Sequence, residues 1–98
     1  MDSKVKTRTD IHDFNLIPNV GPATIRYFKI LGIKTPFELV GQNPYSMYNE
    51  LYIITGKNFD PCLADVFISA VKFMEGAPPQ KWWHYTKERK ARLSKERS

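Results

Sequence analysis

Apolar positions along this chain recur at helical spacing and are broken repeatedly by Pro and Gly. Ile11, Phe14 and Ile17 lie three apart, so residues 10–17 are predicted to form a short first helix. Pro18, Asn19, Val20 and Gly21 interrupt it. Pro22 suits the first turn of a new helix, where no N–H is needed, and that helix is expected over 23–31 with a stop at Gly32. The logic then repeats. Thr35, Pro36 and Glu38 have the spacing of a capping box before a short helix that stops near Gly41. Asn43 and Pro44 open a further helix that ends at Gly56, and Asp60 and Pro61 open one that ends at Gly76. No segment shows sustained period-two alternation, so strands are not expected.

The helix after Pro61 is apolar nearly all round. Asp65, Ser69 and Lys72, at i, i+4 and i+7, form its one polar stripe. Such a helix belongs at the centre of a bundle. A carboxylate on it must be paired, and Arg26 is one candidate partner. Tyr45, Tyr48 and Tyr52 share a face of the preceding helix, either as the edge of the core or, if exposed, as a protein-interaction face. Beyond Pro78 and Pro79, Trp82, Trp83 and Tyr85 interleave with Lys81, His84 and Lys87. Two readings stand: the indoles seal the open end of a small core, or they stack on bases. Thr86 is placed to cap a final charged helix. The fold expected is an all-α, compact bundle of about five short helices with a basic C-terminal tail. Its divisions are a flexible N-terminus (1–9), a helical domain (10–86) and the tail (87–98).

Charge sharpens this picture. The net charge is +5, and the last eighteen residues hold seven of the fifteen Lys and Arg but only two of the ten Asp and Glu. The body is therefore balanced and the tail carries the whole excess. That tail reads as a contact for a polyanion or as a solvated face that keeps the protein soluble. One cysteine excludes an internal disulfide and agrees with a reducing compartment. The opening residues contain no apolar segment of signal-peptide type, and no apolar run reaches membrane-spanning length. A cytoplasmic protein is expected, with no membrane partner.

Candidate chemistry concentrates at residues 16–28, LIPNVGPATIRYF. The sharp turn calls for positive φ, which Gly21 adopts freely and Asn19 tolerates better than most residues. Amides at the N-terminus of the following helix point outward with the positive end of its dipole, a backbone phosphate site. Arg26 and Lys29, three apart, are the only charged side chains on that helix. Cys62 sits in the first turn of its helix, where the dipole favours a thiolate. Its apolar neighbours Leu63 and Val66 favour a packed small residue instead. His12 and His84 have no partner at metal-ligand spacing, so no zinc site is expected.

The segment IPNVGPATIRYFKILGI resembles the helix-hairpin-helix motif of DNA-binding proteins that lack sequence specificity, with Val20 as the hydrophobic tip and Asn19 in place of the first Gly. The resemblance implies double-stranded DNA as partner. Its phosphates would be held by amides around Asn19, Val20, Gly21, Ala23 and Thr24, with Arg26 and Lys29 beside them. Lys87, Arg89 and Lys90 of the tail would add affinity. It also implies a monovalent cation on the carbonyls of Asn15, Ile17 and Val20. Many such domains pair two hairpins. The second here would be TGKNFDP, which lacks the Gly-hydrophobic-Gly core. Taken with LGIKTP, DPCLADVF and WWHYT, the motifs from Ile11 to Thr86 resemble the small bacterial pathogenicity-locus or mitomycin-resistance proteins. No enzyme activity is expected. The alternatives are a protein-interaction adaptor on a degenerate hairpin scaffold and a thiol-dependent activity at Cys62.

Overall fold

The computed structural model describes Arg8 and residues 10–97, with side chains through Arg92. The described residues are all-helical. Four α-helices, α1 (Pro22–Ile30), α2 (Pro44–Thr55), α3 (Cys62–Met74) and α4 (Thr86–Arg97), are joined by 3-10 turns at Phe14–Leu16, Pro36–Leu39 and Trp82–Tyr85. No helix among the described residues is long and apolar enough to cross a membrane.

The first expected helix is reduced to one 3-10 turn. Asp13 is extended, and its carboxylate accepts from the Asn15 amide at 2.9 Å, so winding starts only at Phe14. Ile17 is extended again (φ −86°, ψ 126°), as a residue before proline prefers. Three residues remain between these limits. The short helix at Pro36 is likewise a 3-10 turn. Its predicted capping partner Glu38 reaches back to the amides of Lys34 (2.5 Å) and Thr35 (3.4 Å).

The other starts and stops fall where the spacing places them. Asn43 accepts from the amides of Tyr45 and Ser46 at the head of α2. Asp60 accepts from that of Cys62 at the head of α3. Gly56 ends α2 in the left-handed region (φ 70°), where a Cβ would be strained.

The core is built around α3. Phe67, Ile68, Ala70, Val71, Phe73 and Met74 are buried on it. A row of rings runs from Phe14 to Phe28 (5.2 Å between centroids) and on to Phe67 (5.7 Å). Phe28 and Phe67 are fully buried, and each such side chain contributes roughly 1.5–3 kcal/mol. Leu39, Met47 and Leu51 close the core from the Pro36 turn and α2.

Of the nine-residue N-terminus only Arg8 is described. Its amide donates to the Met74 carbonyl at 3.0 Å, and its guanidinium donates to the carbonyls of Phe73 and Ala77, both at 2.7 Å. It also lies 4.0 Å from the centroid of the Phe73 ring. A cation thus serves carbonyls at and just beyond the C-terminus of α3.

Candidate nucleic-acid interface

The polar stripe on α3 holds the two candidate binding elements in place. Ser69 Oγ accepts from Asn19 Nδ2 at 2.9 Å, and the second hydrogen of the same amide goes to the Gln80 carbonyl at 2.6 Å. One side chain therefore ties the turn at 18–21 to the central helix and to the segment before Trp82. Asn19 has φ 71° and is the only described non-glycine residue at positive φ. The turn needs a left-handed residue there, and Asn supplies both that backbone and the two donors.

Gly21 does not share the positive φ expected of it. It is extended (φ −116°, ψ −175°), and a Cβ built on it meets nothing within 4 Å. Neither its backbone nor its neighbours demand glycine.

Val20 is not an outward tip. It is half-buried against the core, and its amide donates to the Ile17 carbonyl at 3.2 Å. Thr24 is buried as well, at 8% exposure. Among the described residues, the amides of Gly21, Ala23 and Thr24 meet no acceptor in the protein. Of α1, α2 and α3, only α1 begins without a side-chain acceptor and without an acidic residue in or before its first turn. Arg26 and Lys29 are both exposed on it. At the second turn, Gly56 to Pro61, Asp60 already occupies the head of α3, and the Cys62 amide holds its carboxyl below the usual carboxylate range. That end of the molecule presents a negative charge where the first turn presents open amides.

The carbonyls inferred for a monovalent cation fit one only in part. Those of Asn15 and Val20 accept no hydrogen bond from described residues, while that of Ile17 is engaged by the Val20 amide. No role is assigned to a cation.

The Asp65 end of the stripe changes the reading of the tail. Asp65 is fully buried, and its partner is Arg89, not Arg26. Arg89 Nε donates to Oδ1 at 2.9 Å, and Nη2 donates to Oδ2 at 3.3 Å. The Thr86 hydroxyl donates to Oδ2 at 2.6 Å. Thr86 is therefore no cap. It is helical (φ −58°, ψ −42°) in a helical run that begins at Trp82. Arg89, counted among the tail's phosphate contacts, is 8% exposed and spent on Asp65, whose hydrogen bonds push its pKa further up. Lys72 meets Glu88 at 3.6 Å, and Arg92 lies 4.6 Å from the Tyr45 ring centroid. Lys87 and Lys90 remain exposed on the outer face of α4. Lys95 and Arg97 have side chains outside the described residues.

Cys62 is half-buried, and its thiol is pushed up by burial and by the neighbouring Asp60 carboxylate. Tyr48 packs at the core edge, and Tyr45 is half-buried outside the core cluster. The Tyr48 hydroxyl donates to the Phe59 carbonyl and that of Tyr45 to Glu88 at 3.2 Å. Tyr52 is 47% exposed, beside Ile53 at 66% and Ile54 at 53%. Trp82 is half-buried, and Trp83 is 57% exposed.

The described residues are thus all-helical, with an uncapped, cation-flanked start at α1 and a basic helix, α4, fixed to α3. Residues 7–91 match the pathogenicity-locus family, and the chain belongs to it. Over 90 residues it is 40% identical to the mitomycin resistance protein McrB of Streptomyces lavendulae, a span of 92% of this chain and 86% of that protein. No solved structure matches the chain.

Proposed function

We infer that this protein is a non-enzymatic DNA-binding module that holds duplex phosphates without reading sequence. The turn at 18–21 acts as the hairpin of a helix-hairpin-helix. The observation that carries the reading is the uncapped start of α1, with the amides of Gly21 and Ala23 open and Arg26 and Lys29 exposed beside them. Backbone donors and a helix dipole favour a phosphate there. Gly21 is explained by the approach of that phosphate, since nothing within the protein requires it. Lys87 and Lys90 add contacts from α4. A single turn with few cations gives weak, salt-sensitive binding.

The test is anisotropy titration of a labelled blunt duplex at two salt concentrations. Gly21→Val and Arg26→Glu are expected to weaken binding to every sequence alike, and Arg26→Glu to lower the slope of log affinity against log salt by about 1. Unchanged affinity in both variants would refute the hairpin role.

A second reading is favoured by Tyr52, Ile53 and Ile54, which leave an apolar patch at the end of α2. A protein-interaction adaptor would use that patch and leave duplex DNA unbound. A wild type that sediments as a dimer, with Ile53→Asp sedimenting as a monomer, would favour the adaptor; a monomeric wild type would count against a self-association surface.

A further inference from the structure

We propose that Trp83 is a stacking platform for an unpaired base, so that the preferred ligand is duplex DNA with a short single-stranded extension. The inference rests on the DNA-binding reading above and names its substrate class.

The indole stands on the solvent side of a continuous helical run, the Trp82–Tyr85 turn leading directly into α4. Tyr85 and Arg89 fix the inner face of that run, at 7% and 8% exposure. Trp83, Lys87 and Lys90, at i, i+4 and i+7, are all exposed on the other side. Trp82 packs edge-on against Trp83 (5.5 Å, 84°) and limits the ring's freedom. The Lys81 ammonium lies 5.7 Å from the Trp83 ring centroid. The nearest acidic residue on the run, Glu88, is turned away to Lys72 and Tyr45. An exposed, held indole with cations before and after it suits a base and its flanking phosphates.

The segment that leads into the stripe is tied to the turn at 18–21. Asn19 Nδ2 holds the Gln80 carbonyl at 2.6 Å, two residues before Gly21 in one direction and three before Trp83 in the other. Those five residues of chain span at most about 18 Å, to which the Asn19 side chain adds its own short link. A strand whose phosphate rests on the Gly21 amide is therefore within a few nucleotides of the ring. A fully paired duplex keeps its bases stacked and gains nothing from Trp83.

The probes are a labelled blunt duplex and the same duplex with a short thymine overhang, titrated against the full chain and against Trp83→Ala, Trp83→Phe, Gly21→Val and Arg26→Glu. The wild type is expected to bind the overhang duplex about 5- to 150-fold more tightly, the range for stacking one base. Trp83→Ala is expected to abolish that preference and leave blunt-duplex affinity unchanged, and Trp83→Phe to keep part of it. Overhang DNA is also expected to quench the remaining indole in a Trp82→Phe protein. Thermal melts confirm that each variant is folded. Equal affinity for the two probes, or a preference that survives Trp83→Ala, overturns the platform. Blunt-duplex binding that depends on Gly21, without an overhang preference, removes only the platform. Blunt-duplex binding unaffected by Gly21→Val and Arg26→Glu removes the hairpin reading instead. No binding to either probe removes both.

Discussion

Replacing Arg89 with Met tests the link between the basic helix and the core. Met keeps much of the side-chain volume and removes the charge and both donated hydrogen bonds. Asp65, with no exposed surface, would keep only the Thr86 hydroxyl at 2.6 Å. Breaking a buried pair by deleting one partner costs about 3–5 kcal/mol, since the remaining charge is stranded. Domains of this size have roughly 5–15 kcal/mol in total. At about 4–8 °C per kcal/mol, the melting temperature should fall by roughly 12 °C or more. Asp65→Leu with Arg89→Met removes both charges and should recover most of the deficit. Urea unfolding followed by far-ultraviolet circular dichroism measures all three proteins. A deficit under about 1 kcal/mol for Arg89→Met would refute a buried pair anchoring α4.

Three other outcomes follow from the same geometry. Asn19→Ala loses both donors and strains a left-handed position, so it should destabilise by about 2–4 kcal/mol, and Asn19→Gly by less; chemical denaturation ranks them. Burial, then Glu88, pushes Tyr45 up to about 12, so its contribution is intact below pH 10 and lost as pH rises through 12; Tyr45→Phe should flatten that part of the alkaline stability curve. The raised Cys62 thiol should react with a disulfide reagent at neutral pH more slowly than a free cysteine does, and a rate equal to free cysteine would contradict its half-buried setting beside Asp60.

The sequence by itself determined the all-α class, the places where α1, α2 and α3 begin and end, and the central role of α3. Those features rest on local chemistry. Asn43 and Asp60 cap, Pro22 and Pro44 fit a first turn, and Gly56 accepts positive φ, whatever lies elsewhere in the chain. The candidate turn at 18–21 was legible for the same reason, as were the exposed Arg26 and Lys29. What only the tertiary structure decided was which polar groups remain for a ligand. Asn19 reads as a turn residue in sequence, but its donors go to Ser69 and Gln80, fifty and sixty-one residues away. Arg89 reads as one cation in a basic tail, yet it is buried on Asp65 because a carboxylate in the core must be neutralised. A signal was present in the spacing of Tyr85 and Arg89, four apart on one helical face. Its meaning depended on what that face packs against, and pairing across twenty-four residues is set by how helices dock, not by local preference.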